Sequence, residues 1–162
     1  MDKVTNTLSG DFSSGELLIT RTFDAPRALV FQAWIDPVQL AKWWGPKGFT
    51  NPVCEVDARP GGAIRIHMRA PDGTVYPMTG TFREIVEPER LVFVSQAHED
   101  ESGNAVFEVL NTVTFIERAG KTTLPLTARP FNVKPGAEPY LSGMEQGWGQ
   151  SLDRFGQYLK NV

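Results

Sequence analysis

The sequence predicts an α+β fold in which a curved antiparallel sheet of about seven strands grips one long C-terminal helix. Two observations carry that expectation. Between Val53 and Arg129 short β-like runs alternate with turn chemistry, and from Leu141 to Leu159 apolar side chains recur every three or four residues. The chain has 162 residues, enough for one domain that buries about two-thirds of its unfolded surface.

Residues 1–15 carry mostly small and polar side chains, too little apolar area to offset the entropy of ordering them, and read as a flexible tail. The single domain is placed at 16–162. Its first strand runs from Glu16 to Phe23, with Leu17, Ile19, Arg21 and Phe23 on one face. Asp24 followed by Pro26 predicts the start of a helix in which Val30 meets Trp34 and Phe31 meets Ile35. The same signal in Asp36-Pro37 opens a second short helix through Leu40 and Trp43, which Gly45 and Pro46 stop.

Six further strands are expected, at about 53–58, 62–70, 74–86, 90–97, 106–117 and 121–129. The punctuation between them is Arg59-Pro60-Gly61-Gly62, Pro71-Asp72-Gly73, Glu87-Pro88-Glu89, Ser102-Gly103-Asn104 and Arg118-Ala119-Gly120. Such short connections imply hairpins and an antiparallel meander. Pro125 cannot donate to a ladder, so a bulge or a local break in pairing is expected near it. After a loop containing Pro130, Pro135, Gly136 and Pro139, the last helix aligns Leu141, Met144, Trp148, Leu152, Phe155 and Leu159 on one stripe. Four glycines in that segment each lower helix propensity by about 1 kcal/mol. Tertiary packing of the stripe in the sheet's concavity must therefore hold the helix.

Composition excludes several classes. With 41% hydrophobic and 22% charged residues the chain is an ordinary globular sequence, and its formal charge of −3 offers no broad footprint for nucleic acid. The first residues lack an apolar signal region and no long apolar run occurs, so a cytoplasmic protein without membrane insertion is expected. Cys54 is the single cysteine, which rules out an intramolecular disulfide. His67 and His98 are the two histidines, and neither has metal-ligand spacing with Cys54, so no metal and no cofactor are expected.

Local wording adds a resemblance. In order, the chain carries Phe23-Asp24-Ala25-Pro26, Trp43-Trp44-Gly45-Pro46, Pro60-Gly61-Gly62, Met68-Arg69-Ala70-Pro71-Asp72-Gly73, Gly80-Thr81-Phe82-Arg83-Glu84-Ile85 and Pro88-Glu89-Arg90-Leu91. It then closes with Gly147-Trp148 leading through Ser151-Leu152-Asp153 to Tyr158-Leu159. The set resembles START-like (SRPBCC) proteins, and within them the bacterial proteins similar to the C-terminal domain of the activator of heat-shock-protein-90 ATPase. That resemblance spans about Leu17 to Lys160. It implies a helix-grip fold and a container for a small apolar molecule between sheet and helix, and the family's name implies a chaperone as a further partner.

The residues expected to line that container follow from alternation and helical spacing. On one strand Ile64, Ile66 and Met68 share a face opposite Arg65, His67 and Arg69; on the next, Tyr76, Met78, Gly80 and Phe82 share a face. The candidate ligand-binding set is Trp44, Ile66, Met68, Tyr76, Met78, Phe82, Phe93, Met144 and Trp148, with access beside the 130–139 loop. Flexible methionines and amphipathic aromatics suit an adaptable apolar pocket. No catalytic residue is assigned, because neither histidine falls in a nucleophile arrangement with Cys54 or a serine. Three functions remain open: ligand binding, a co-chaperone or interaction module with a solid interior, and an enzyme using a buried carboxylate such as Glu108, or Tyr76, in the same cavity.

Overall fold

A computed structural model describes residues 16–99, 105–135 and 138–161. The tail expected over 1–15 and the turn at Ser102-Gly103-Asn104 lie outside them. In chain order the elements are β1 (Leu17–Phe23), α1 (Arg27–Ile35), α2 (Pro37–Trp43), β2 (Thr50–Val56), β3 (Ala63–Arg69), β4 (Val75–Val86) and β5 (Arg90–Glu99). There follow β6 (Ala105–Thr114), β7 (Ile116–Arg118), β8 (Lys121–Phe131) and α3 (Glu138–Lys160). The strands form one antiparallel sheet ordered β1-β8-β6-β5-β4-β3-β2, with β7 also pairing β8.

The predicted architecture is the observed one, with eight strands among the described residues rather than about seven. The expected 106–117 strand divides at Phe115, whose N–H leaves the ladder and donates to the Glu89 carbonyl at 2.9 Å. Val113 pairs with Leu126 and Ile116 with Thr123, so the break falls where Pro125 stands in the register. A residue without an N–H tolerates that gap. On its other side Pro125 keeps its place opposite Thr20 of β1.

The two short helices start differently from each other. Asp36 caps α2 as expected, its side chain accepting the Val38 N–H at 3.0 Å with Pro37 in the first turn. Asp24 does not cap α1; Pro26 occupies the cap in an extended conformation, and the first amide, Arg27 N–H, donates instead to Glu117 Oε1 of β7 at 2.8 Å. The short spacing to Pro26 carries the chain into the helix before the aspartate can reach it. Gly45, at φ +96°, turns the chain after α2. The long helix begins at Glu138, earlier than the apolar stripe, because Pro139 is tolerated in a first turn.

One face of the sheet holds the core. Leu17, Ile19, Leu124, Leu126, Ala128 and Val113 are fully buried, alternating with partly exposed neighbours along β1, β8 and β6. Against this face lie α1, α2 and the C-terminal half of α3, with Leu152 and Phe155 fully buried. Phe155 meets Trp43 at 4.4 Å and Phe23 at 5.0 Å between ring centroids. This contact supplies what the glycine-rich helix lacks in propensity.

Candidate functional site

Trp34 of α1 stands at the centre of the space between sheet and helices. Its ring stacks on Trp148 at 6.0 Å and 22° and packs edge-on to Trp43 at 4.8 Å. Trp44, the residue that closes α2, meets Trp148 edge-to-face at 5.3 Å. Beside this aromatic cluster, Ile64 and Ile66 of β3, Met78 and Phe82 of β4 and Phe93 of β5 project inward, all buried. Alternation along each strand aims them there, and a register shift between Phe82 and Glu84 accommodates the bend of β4. Gly80 permits the close approach of β5, since a Cβ at that position would stand 2.6 Å from the Val94 carbonyl oxygen.

These side chains nearly fill the space. A void of about 10 Å³ remains, lined by Trp34, Leu40, Trp44, Val56, Ile64, Ile66, Met78, Phe82, Leu91 and Phe93, every one apolar. It has room for about one water molecule. Five of the nine predicted ligand-binding residues, Trp44, Ile66, Met78, Phe82 and Phe93, are in its wall. Met68, Met144 and Trp148 are half-buried against the same core without reaching the void. Tyr76 stands apart: it is 38% exposed, with its ring 6.2 Å from Phe49. The alternation that puts it on the face of Met78 holds, but as the second residue of β4 it stands at the start of the strand, beside Phe49 rather than in the wall of the void.

Sequence reasoning left Trp34 and Asn111 out of the candidate set. For Trp34 the signal was its spacing of four from Val30; for Asn111 it was the inward alternation of Phe107, Val109 and Val113. Asn111 is fully buried and donates from Nδ2 to Ser95 Oγ at 3.0 Å. Its Oδ1 and the Trp34 indole N–H have no partner. Buried polar atoms in that state are held at a free-energy cost.

The titratable groups do not converge. Burial, followed by the charges of Asp36 and Glu55, pushes the Cys54 thiol up to about 11. It is therefore a thiol near neutrality and a poor nucleophile. Glu108, suggested above as an acid in the cavity, is on the opposite face of β6 from Val109. It accepts hydrogen bonds from Asn132 and Gln96, both at 2.6 Å, which hold its carboxyl below the usual range. His67 is half-buried between exposed Arg65 and Arg69 on the face away from Ile66, and the His98 side chain is outside the described residues. Among the described residues no three His, Cys, Asp or Glu side chains gather as metal ligands, and no helix is long and apolar enough to cross a membrane.

A curved antiparallel sheet wrapped on a long helix, with apolar walls facing inward, defines an α+β helix-grip domain of the START-like class. The chain belongs to the family described as activator of Hsp90 ATPase homolog 1-like protein, whose model matches residues 24–160. No curated protein matches it. Among solved structures, a protein of Arthrobacter aurescens is similar with TM-score 0.84 and 25% identity, covering 96% of this chain and 92% of that one. A Chromobacterium violaceum protein gives 0.76 and 29%, covering 89% and 96%, and one from Mycobacterium smegmatis gives 0.75 and 28%, covering 96% and 94%.

Proposed function

We propose that this domain binds a small apolar or amphipathic molecule between its sheet and the helices packed on it, in the space walled by α1, α2 and four strands. The observation that carries the reading is the composition of the interior wall: ten residues from two helices and four strands surround one void and none is charged. Ligand sites are predominantly apolar with few polar groups. The void of about 10 Å³ is too small for such a molecule, so binding requires the wall to move. Met78 is suited to that, because an unbranched thioether repacks easily. The half-exposed N-terminal part of α3 is suited too, since Gly143 and Gly147 lie in open space and weaken the helix there.

Native mass spectrometry of freshly purified protein tests this directly. The expected result is a co-purified small molecule, or saturable binding of an apolar fluorophore that the molecule displaces. Protein that carries nothing and binds no apolar probe would refute the reading. The near-solid interior favours one competitor, an interaction or co-chaperone module of the kind the family description names, and that competitor predicts the empty result. An enzyme in the same cavity has less support, because neither Cys54 nor Glu108 presents a reactive form there.

A further inference from the structure

Outside the interior void, an open groove of about 940 Å³ runs along the C-terminal half of α3, between the end of β1 and the end of α2. That volume is within the range of small-molecule sites. Two arginines fix its walls. Arg154 reaches from α3 to the carbonyls of Trp44, Gly45 and Pro46 at 2.9–3.0 Å, tying the helix to the turn after α2. Arg21, on the core face of β1 and 4% exposed, pairs with Asp153 at 2.6 Å and donates to the Gly149 carbonyl at 3.3 Å. The groove is thus pre-formed, and little ordering is needed for it to receive a ligand.

Its charge is opposite to that of the chain. Five cationic side chains line it against two carboxylates, Asp24 and Asp153, in a protein of formal charge −3. The ammonium groups of Lys42, Lys47 and Lys160 are in no ion pair among the described residues. Beneath them the buried Arg21 guanidinium, already engaged by Asp153 and the Gly149 carbonyl, keeps its buried Nε–H without a partner and adds a fixed positive charge behind the wall. Buried donors of this kind ordinarily find an acceptor. Half-buried Tyr158 and Leu159 add apolar surface beside these charges.

We infer that this groove is a second binding site, separate from the interior, for an amphipathic organic anion. Its carboxylate or phosphate head is held by Lys42, Lys47 and Lys160, and its apolar body lies on Tyr158 and Leu159. The anionic head distinguishes this ligand from the one proposed for the interior, whose wall offers no charge.

Amide chemical-shift titrations with dodecanoate and dodecyl phosphate below their micellar concentrations, and with dodecanol below its solubility limit, test the inference. Both anions are expected to shift residues 21–24 and 149–160 in a saturable manner, and dodecanol to bind that region at least about tenfold more weakly. A preference for one anion identifies the head as carboxylate or phosphate. Raising salt should weaken both anions and leave dodecanol unchanged. Combining Lys42→Gln, Lys47→Gln and Lys160→Gln should weaken the anions by about tenfold with an unchanged urea midpoint. Should the triple variant unfold, the salt series and the dodecanol comparison on the native chain decide alone. Equal affinity for dodecanol would overturn the inference. So would shifts confined to the interior around Trp34, Met78 and Phe93, which would support the interior site, and so would the absence of saturable binding.

Discussion

At the scale of single residues, burial governs which groups can react. Cys54 is half-buried on β2, flanked by Glu55 and within the field of Asp36, and all three influences oppose the thiolate. With its pKa at about 11, only a small fraction ionises at pH 8. Alkylation by iodoacetamide at that pH is expected to run roughly two orders of magnitude slower than for a free cysteine. The rate should rise about tenfold per pH unit and level off only near pH 11. A rate at pH 8 within about threefold of the free amino acid would show that Cys54 is not shielded. Arg21 is the complementary case: a buried guanidinium whose charge is paired with the exposed carboxylate of Asp153 at 2.6 Å.

At the scale of the element, α3 is a poor helix made stable by where it lies. Leu152 is fully exposed to packing and not to water, so Leu152→Ala should cost about 2–5 kcal/mol in denaturant unfolding. A loss under about 0.5 kcal/mol would mean that the helix is not docked as described. Glycines separate propensity from packing. At Gly147 an added Cβ meets nothing within 4 Å, so Gly147→Ala should stabilise by about 0.5–1 kcal/mol. At Gly80 the same methyl collides with the Val94 backbone, and Gly80→Ala should destabilise by about 1–3 kcal/mol. Equal effects at the two positions would contradict the arrangement of both elements.

For the whole molecule, the division of labour between the sheet's faces is the testable property. Met78 lines the interior and His67 does not, although they are on adjacent strands and His67 pairs with Pro77 beside it. Titrated with a fluorescent apolar probe, Met78→Trp should lose affinity by about tenfold, because the larger ring over-packs the interior space. His67→Ala should bind as the native protein does, provided both variants remain folded. The reverse ranking would place the histidine in the site and invalidate the register of β3. Together with the groove, this gives the molecule two spaces of different chemistry: an uncharged interior walled by α1, α2 and four strands, and a cationic groove along α3.

Much of this was already legible in the sequence. Turn residues and two periodicities determined the order of elements, the antiparallel meander and the inward set Ile64, Ile66, Met78 and Phe82, because alternation and helical spacing are local properties of the chain. The cap at Asp36 was equally legible, since its acceptor and its donor are two residues apart. Tertiary structure alone decided the rest. That Trp34, Trp44 and Trp148 converge and close the interior to about 10 Å³ depends on contacts between α1, α2 and α3 that no spacing encodes. That Tyr76 falls outside depends on its place at the start of β4, where the strand's inward face is no longer covered. The cationic groove gathers Arg21, Lys42, Lys47 and Lys160 from three separate regions, and a net charge of −3 conceals it. Charge summed over a sequence carries no positions; only packing assigns them.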